Sequence, residues 1–506
     1  MKPVLKTIKF LVLTFSLFSF SAKSQFIING PAIGGVTPAG ARMYLCTEEP
    51  QTITVLLSED GSENNTKSFQ TLTTKEKFNT TIVDFSGLKA DTKYFYSFLI
   101  GEKRDSIHGS FTTFPENGKR GNYTFVTGSC QETENMKVFD VIPKHNPRFM
   151  LHTGDFTYPD YQIAPDYSAD YAKVAYSYRK RYDEKVMKEM LYSIPIDYVY
   201  DDNDYVGGNG GKYNKNDIRS NFKGKVEHKF IIDSFAPSWR RNVIRGYTEF
   251  FPGYTMADTT EGIYHSFKFG NAEFFFVDRC SAHEDALAAN FSYNAKKNKW
   301  SFSPIDSVKL FGDKQMQWLK NGLKNSTADW KFIVSGAPFN KALRKLIDKG
   351  MKIQKIQAKG YNGFHMATGF ASYFAGFPKE QENFLAFIKQ ENIKDVIVIS
   401  GDTHNNVMDD GANAGLPEMN ASGLSVTGTY LAYFLNLVGN GTMMYQMQDE
   451  VWNQGGNGLG NLNFKNAFGR VDIVENNYVT LSLIDEDNEV ISSFRVYHSD
   501  YTGERK

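Results

Sequence analysis

The sequence predicts an α/β domain preceded by an all-β domain, and three observations carry this prediction. Short strand-like segments broken by turn residues fill the first part of the chain, whereas strand-like and helix-like segments alternate in the rest. Two of the later strand-like runs, LHTGDFTY and VIVISGDTHN, end abruptly in Gly-Asp. Continuous apolar runs are typical of strands buried in a parallel sheet, and α/β proteins place their binding groups just beyond the carboxyl ends of such strands. We therefore expect α/β layering with a functional site at these strand ends.

The composition is that of an ordinary globular protein without an electrostatic bias. A chain of 506 residues is long enough for a full-sized catalytic domain and a smaller module. Apolar residues make up 41% and charged residues 23% of the chain. Lys and Arg together number 57, as do Asp and Glu, which gives no support to a nucleic-acid partner or an anionic membrane surface. The richness in Phe (41) and Tyr (28) favours β architecture over a helical bundle.

Residues 1–24 are predicted to be a secretory signal peptide. Three lysines make a basic start, residues 10–20 are apolar, and Ala22-Lys23-Ser24 is a small-x-small cleavage site before Gln25. The apolar stretch is too short to span a bilayer, and no cysteine follows the cleavage site to carry a lipid anchor. We therefore expect an exported protein, periplasmic or extracellular, without a transmembrane segment. The sequence leaves its oligomeric state open.

The chain has three cysteines, Cys46, Cys130 and Cys280. In an oxidising compartment an odd number means that one thiol is free, bound to a metal or reactive. Cys46 lies in the strand-like run RMYLCT, where we expect a buried apolar cysteine.

The first domain is predicted to be a β-sandwich over residues 25–115. Its strand candidates are ARMYLCT, TITVLLS, TTIVDF and YFYSFLI, which alternate with segments containing Gly, Asp and Asn. Tyr94 follows a tight turn in LKADTKYFYSF, a placement similar to the tyrosine corner of immunoglobulin-like sandwiches. Residues 115–121, PENGKRG, are a polar linker to the second domain.

The second domain is predicted over residues 122–500. Its strand-like runs are YTFVTGSC, RFMLHTGD, IDYVYDDND, AEFFFVDR, WKFIVSGAP and DVIVISGDTH. Helix-like segments such as SYRKRYDEKVMKEML, KQMQWLKNGLK and KEQENFLAFIKQ lie between them. Residues 420–469 are rich in Gly and Asn and poorly periodic, which predicts long loops. The final run YVTLSLIDEDNEVISSFRV reads as a β-hairpin that turns at residues 485–488.

Four of the strand-like runs end in side chains that can bind a metal ion. These are Cys130 after YTFVTGS, Asp155 and Tyr158 after RFMLHTG, the run DDND at 201–204 after IDYVY, and Asp402 and His404 after VIVISG. Phenolate with thiolate favours a trivalent ion such as iron, while carboxylate and amide oxygens suit a hard divalent ion. A carboxylate such as Asp155 can bridge the two.

Each of these features has a simpler interpretation when taken alone. A single Gly-Asp at a strand end is usually a turn whose Asp caps the next helix, and a run such as DDND is usually a solvated loop. His152 lies within an apolar strand, where a hydrogen-bonded core histidine is expected. The joint occurrence of ligand types at the ends of successive strands favours a metal site.

At these residues the chain resembles the PhoD-like alkaline phosphatases of the calcineurin-like metallophosphatase superfamily. The resemblance covers nearly all of the mature chain and includes GSC at 128–130, GDFTY at 154–158, DDND at 201–204, FFFVDR, KQMQWL, SGDTHN and NAFGRVDI. It implies a four-layer αββα metallophosphatase sandwich preceded by a fibronectin- or immunoglobulin-like β-sandwich.

The resemblance also implies which residues hold two metal ions. An iron ion (Fe³⁺) would take Cys130, Asp155, Tyr158 and His404, and Asp155 would bridge to a second ion. The second ion is calcium by resemblance, with another divalent metal as the alternative. It would take Asp202 and Asp402, with Asn209 as a further candidate.

Two residues are implied to act on the substrate. Arg279 stands where the family has an arginine after an Asp strand end, and it would either hold phosphate bidentately or pair with Asp278. Asn203 stands where the family usually has a histidine that donates a proton to the leaving group. An Asn side chain can donate a hydrogen bond but cannot titrate near neutral pH, so poor leaving groups should suffer most. A substitute acid from the Tyr- and Asp-rich segment 158–171 is an alternative.

The predicted function is that of a secreted metal-dependent phosphoesterase, a hydrolase acting on phosphoric ester bonds. Two ions would polarise the phosphoryl group and activate a bound water for in-line attack on small phosphomonoesters. A phosphodiesterase acting on diesters, including phospholipid head groups, is the alternative within the enzyme class. A catalytically weakened metal-bearing binding protein is the alternative outside it, and Asn203 is the feature that favours it.

Overall fold

The structure is a computed structural model of the chain. It describes residues 25–62, 65–132, 137–207, 210–212, 214–215, 233–283, 290–297, 299–352, 357–358, 361–425, 450–457 and 465–504. Three predictions fall partly or wholly outside these residues: the signal peptide at 1–24, the candidate ligand Asn209, and most of the loop region at 420–469.

The N-terminal region consists of two antiparallel sheets. Its strands are β1 (Ile27–Thr37), β2 (Gly40–Thr47), β3 (Thr52–Ser58), β4 (Thr66–Leu72), β5 (Thr80–Phe85), β6 (Lys93–Ile100) and β7 (Lys103–Thr112). The strand orders are β1-β2-β5 and β4-β3-β6-β7. The two sheets meet through Phe85 of β5, whose ring lies 5.0 Å from that of Phe69 in β4 and 6.0 Å from that of Phe111 in β7.

The predicted turn before Tyr94 is confirmed. The backbone N–H of Lys89 donates a hydrogen bond of 2.9 Å to the Tyr94 hydroxyl, which ties the start of β6 to the loop before it. All four strand candidates form strands. The strands β1, β4 and β7 were not among the candidates because β1 is interrupted by Gly30, Gly34 and Gly35, while the other two are largely polar.

The second region is a mixed α/β structure, as predicted. Its strands are β8 (Asn122–Gly128), β9 (Met150–His152), β10 (Ile196–Tyr198), β11 (Asn214–Lys215), β12 (Asp233–Ser234), β13 (His265–Phe269), β14 (Ala272–Val277), β15 (Phe291–Asn294), β16 (Lys299–Phe302), β17 (Trp330–Ser335), β18 (Gln357–Ala358), β19 (Tyr361–Asn362), β20 (Val396–Ser400), β21 (Asn406–Asp409), β22 (Glu418–Ala421), β23 (Gly456–Asn457), β24 (Ala467–Val474), β25 (Tyr478–Asp485) and β26 (Val490–Tyr497). The six predicted strand-like runs are β8, β9, β10, β14, β17 and β20. The predicted terminal hairpin is β25 and β26.

Within the part of the chain that the structure describes, the α-helices lie in this second region. They are α1 (Val138–Val141), α2 (Pro159–Gln162), α3 (Tyr171–Asp183), α4 (Lys185–Leu191), α5 (Asp202–Tyr205), α6 (Pro237–Phe250), α7 (Arg279–Ala282), α8 (Gly312–Asn325), α9 (Arg344–Lys352), α10 (Gly363–Ala371) and α11 (Pro378–Gln390). The first predicted helical segment is divided into α3 and α4 because Glu184 adopts an extended backbone between them. Within the described ranges, no helix has both the length and the apolar character needed to cross a bilayer.

Two mixed sheets form the body of this region. One has the order β10-β9-β8-β24-β25-β26, in which β8, β9 and β10 are parallel. The other has the order β13-β14-β17-β20-β22-β21-β23, in which β14, β17, β20 and β22 are parallel. The candidate ligands therefore follow the carboxyl ends of parallel strands in both sheets.

The continuous apolar runs are explained by burial on both faces of the sheet. In β14, Phe274 and Phe276 belong to the core shared with the other sheet, while Phe275 and Val277 belong to a second core under the helices. The ring of Phe125 in β8 lies 5.3 Å from that of Phe274 and thereby joins the two sheets. Leu319 of α8 belongs to the second core and covers the outer face of the second sheet.

Candidate metal centre

The register of β8, β9 and β10 brings three of the candidate side chains to one edge. Gly128 at the end of β8 pairs with His152 of β9, and His152 pairs with Tyr198 of β10. Cys130, Asp155 and Asp201 therefore follow three neighbouring strands that end at the same level. The loop after β20 adds Asp402 and His404 from the other sheet.

Two glycines allow the strand ends to touch. Gly154 has a φ of 98°, and a Cβ at this position would lie 2.4 Å from the Cβ of Asp201. A Cβ at Gly401 would lie 2.4 Å from the backbone oxygen of Thr153. The two Gly-Asp motifs are thus explained by close contact between the loops that carry the aspartates.

The candidate ligands share an uncommon backbone conformation. Their φ angles are 60° at Cys130, 56° at Asp155, 44° at Tyr158, 69° at Asp402 and 55° at His404. Positive φ costs energy for residues other than glycine, and such strain is concentrated at functional sites, where the surrounding structure holds it in place. The conformation turns these side chains sharply out of their strands.

Two groups of ligand atoms meet at Asp155. Cys130, Asp155 and His404 offer one group, and Asp155, Asp201 and Asp202 offer the other. Within each group the ligand atoms lie within 4.8 Å of one another. The Cys130 Sγ lies 3.7 Å from the Asp155 Oδ2, and both residues are fully buried. Asp155 thus stands where a carboxylate could contact two ions.

Tyr158 lies beside the first group. Its ring is buried, and burial raises the pKa of its hydroxyl well above the usual value. The charges of Asp155 and Cys130 raise the pKa further. Tyr158 therefore shares the electrostatic environment of both of these predicted ligands.

Arg279 joins the carboxylates of the two sheets. Its Nε donates to Asp201, its Nη2 lies 2.9 Å from the Asp402 Oδ2, and the same Nη2 lies 3.7 Å from the Asp202 Oδ1. The predicted pairing with Asp278 is wrong. Asp278 instead accepts hydrogen bonds of 2.9 Å from the backbone N–H groups of Cys280 and Ser281, and so caps α7.

The electrostatics of the cluster fit bound cations. Burial raises the pKa of Asp155 well above its usual value, and the charges of Asp202, Asp201 and Asp402 raise it further. Burial also raises the pKa of Asp201, partly opposed by Arg279. Among the described residues, the Asp201 Oδ2 is buried without a hydrogen-bond partner. Four clustered carboxylates beside one guanidinium, with a thiol and an imidazole, form a donor set suited to metal ions.

Asn203 is held against Asp155. Its Nδ2 lies 2.8 Å from the Asp155 Oδ2 and 3.4 Å from the Asp202 Oδ1, while its backbone N–H donates to the Asp155 Oδ1 at 3.2 Å. The neighbouring Asp204 accepts hydrogen bonds from the backbone N–H groups of Phe156 and Thr157, which fixes the loop after β9. The amide of Asn203 therefore orients the predicted bridging carboxylate.

The remaining sequence predictions are partly confirmed. His152 is a core histidine, fully buried beside Gln131, with its pKa lowered well below the usual value by burial and by Arg181. Cys46 is fully buried within the hydrophobic core, and none of the three cysteines forms a disulfide. Asn209 lies outside the described residues.

The structure adds three residues to the site that the sequence did not assign to a particular ion or role. Asp201 belongs to the second ligand group, and its position in DDND was the one available signal. The Ser422 Oγ accepts a hydrogen bond of 2.6 Å from the backbone N–H of His404, and thus fixes the loop that carries two candidate ligands. Tyr373 lies beside Arg279, with 6.0 Å between its ring centroid and the guanidinium carbon. Nothing in its sequence context, ASYFAGF, marked it.

Comparison with known proteins identifies a family and a relative that this chain resembles. The model of the PhoD-like phosphatase family matches residues 125–427. Alkaline phosphatase D of Bacillus subtilis (strain 168) is 24% identical over 346 residues, which are 64% of this chain and 52% of that protein. The chain thus spans about half the length of this relative.

Two solved structures share the fold. The structure of PhoD aligns with a TM-score of 0.66 and 15% identity, over 96% of this chain and 94% of that one. A purple acid phosphatase from yellow lupin (Lupinus luteus) seeds aligns with a TM-score of 0.53 and 10% identity, over 92% and 74% of the two chains. Since the family model spans more than half of the sequence, the chain belongs to the PhoD-like phosphatase family.

Proposed function

We propose that this protein is an exported, metal-dependent phosphoesterase that hydrolyses phosphomonoesters at a dinuclear metal centre. The single observation that carries the proposal is the position of Asp155, whose carboxylate belongs to both groups of ligand atoms. A carboxylate shared in this way is what a pair of ions a few ångströms apart requires. Membership of the PhoD-like phosphatase family supports the reaction class.

The proposed ligands divide between the two ions. Cys130, Asp155, Tyr158 and His404 would hold iron. Asp155, Asp202 and Asp402, with Asn209, would hold calcium or another divalent ion, and the buried Asp201 Oδ2 is a further donor on that side. Bound there, the ions would supply Lewis-acid polarisation of the phosphoryl group and an activated water.

The chain's own residues prepare the site for an anionic substrate. Arg279 neutralises part of the carboxylate charge through Asp201 and Asp402, and we infer that its remaining donor capacity binds a phosphoryl oxygen. Asn203 keeps the Asp155 carboxylate in one orientation. These contacts do not favour a hydrogen bond from Asn203 to the leaving group, because its amide is already engaged by two carboxylates.

Both regions of the chain would have the architecture that the family resemblance implies. Residues 25–115 would form a fibronectin- or immunoglobulin-like sandwich, supported by the two antiparallel sheets and the Tyr94 hydrogen bond. Residues 122–500 would form the four-layer αββα catalytic domain, supported by the two packed sheets and the helices over the outer face. Residues 1–24 would be removed on export, so that the mature protein begins at Gln25.

The test is hydrolysis of p-nitrophenyl phosphate compared with bis-p-nitrophenyl phosphate, with iron and calcium supplied. Faster hydrolysis of the monoester supports the proposal. Faster hydrolysis of the diester would reassign the protein as a phosphodiesterase. A protein that binds both metals and hydrolyses neither ester would contradict the enzyme proposal and favour a metal-bearing binding protein.

A further inference from the structure

Two hydrogen-bond donors remain open beside the carboxylate cluster. Nη1 of Arg279 and the hydroxyl of Tyr373 make no hydrogen bond with any residue that the structure describes. The Tyr373 ring centroid lies 6.0 Å from the Arg279 guanidinium carbon, so the two side chains are neighbours.

The Tyr373 ring is held in place from its own segment. The backbone N–H of Tyr373 donates to the Phe370 oxygen at 3.2 Å, and its backbone oxygen accepts from Gly376 at 2.8 Å. The rings of Phe370 and Tyr373 are 6.1 Å apart. These contacts fix the backbone of Tyr373 in the short connection between α10 and α11 and pack its ring against Phe370.

The relative burial of Arg279 and Tyr373 indicates which part of a substrate each side chain would contact. Arg279 is 2% exposed and Tyr373 is 9% exposed, so the tyrosine lies nearer to solvent. In the proposed reaction the phosphoryl group sits against the ligand cluster, and the leaving group extends outward because it must depart into solvent. Arg279 would thus meet the phosphoryl oxygens, and Tyr373 the oxygen that bridges to the leaving group.

The hydroxyl keeps its proton and therefore acts as a donor. Burial raises the pKa of Tyr373 well above its usual value, and among the charges acting on it Asp402 raises it most while Arg279 lowers it.

We propose that the Tyr373 hydroxyl donates a hydrogen bond to the leaving-group oxygen of the phosphoester, in place of the proton donor that Asn203 does not supply. The proposal rests on the phosphoesterase function proposed above and deepens it. Water attacks phosphorus and gives up a proton to solvent, the bond from phosphorus to the leaving oxygen breaks, and the electron pair stays on that oxygen. The oxygen then takes a proton from solvent water, since Tyr373 retains its own.

The decisive variant is Tyr373→Phe, which keeps the ring and removes the donor. A hydrogen bond to a charged group is worth about 10- to 100-fold in rate. We expect kcat/KM to fall by about that factor for an alkyl ester such as glycerol phosphate and to change little for p-nitrophenyl phosphate, whose leaving group needs little help. Tyr373→His, which restores a donor, should recover part of the alkyl-ester rate.

A matched control and a binding measurement complete the experiment. Tyr254→Phe removes a hydroxyl that donates to the backbone oxygen of Val36 instead of facing the cluster, and it should leave both rates unchanged. Calorimetric binding of inorganic phosphate, which has no leaving group, should be the same for Tyr373→Phe and the parent protein. Weaker phosphate binding would overturn the leaving-group assignment.

The outcomes separate this proposal from the one on which it rests. If the parent hydrolyses both esters but Tyr373→Phe behaves like Tyr254→Phe, or loses equal factors on both, the role of Tyr373 is wrong and the phosphoesterase function stands. If the metal-loaded parent hydrolyses neither ester, both proposals fall.

Discussion

Replacement of Asn203 by Ala should weaken metal binding before it changes any other property. Its Nδ2 donates to the Asp155 Oδ2 at 2.8 Å, and its backbone N–H holds the other oxygen of the same carboxylate. The side chain is 5% exposed, so water cannot readily replace the lost donor. The substitution thus removes the side-chain donor to one oxygen of the predicted bridging carboxylate.

The size of the effect follows from this one contact. A hydrogen bond to a charged acceptor contributes about 1.5–3 kcal/mol, and 1.4 kcal/mol corresponds to about a tenfold change in an equilibrium constant. Loss of a group that orients a metal ligand typically costs about 10- to 100-fold in metal affinity. We therefore expect Asn203→Ala to bind metal about 10- to 100-fold more weakly than the parent.

Competition with a chelator of known affinity measures this change directly. Asn271→Ala is the matched control, because the buried Asn271 Nδ2 also donates to a carboxylate, that of Asp329, at 3.1 Å. If Asn203→Ala and Asn271→Ala release metal at the same chelator concentration, the orienting role is refuted. Because the Asn203 amide binds Asp155, we expect Asn203→His to disturb the metal site and not to act only on leaving-group protonation.

Three further outcomes are expected. The purified protein should carry iron and absorb visible light through its thiolate and phenolate ligands, and Cys130→Ser should shift this absorption; zinc alone without colour would contradict the ligand set. Arg279→Lys should lower kcat/KM by about 10- to 100-fold at nearly normal metal content, and an unchanged rate would exclude the phosphoryl contact. Burial raises the pKa of Glu418 from 4.5 to about 8, so its contribution to stability is complete below about pH 4.5 and is lost as the pH rises through 8. Glu418→Gln should therefore have a melting temperature close to that of the parent at pH 5 and a higher one at pH 9. An equal difference in melting temperature at the two pH values would refute this role of Glu418.

Much of the fold was predictable because burial on two faces leaves a plain signature. The runs that became β8, β14, β17 and β20 are continuous apolar segments, since both faces of these strands are covered. The strands β4 and β7 lie at the edges of their sheet and are mostly polar, so their sequences lack that signature. Their pairing is set by tertiary contacts and not by local preference.

The site was predictable only where ligands directly follow strands. Cys130, Asp155 and Asp402 each stand within three residues of a strand end, so the sheet order brings them together. The carboxylate partners of Arg279 come from β10 and β20, on different sheets, and only the packing of the two sheets determines them. Tyr373 reaches the site from the connection after α10, for which the sequence gives no spacing rule.

The proposed mechanism depends above all on Asp155 binding two metal ions at once. Elemental analysis of the purified parent and of Asp155→Ala, together with the rate of phosphomonoester hydrolysis, tests this most directly. The expected result is two metal ions per parent chain, loss of both in Asp155→Ala, and loss of hydrolysis with them. Retention of either metal at full occupancy in Asp155→Ala, or full hydrolysis without metal, would contradict the shared carboxylate and the mechanism built on it.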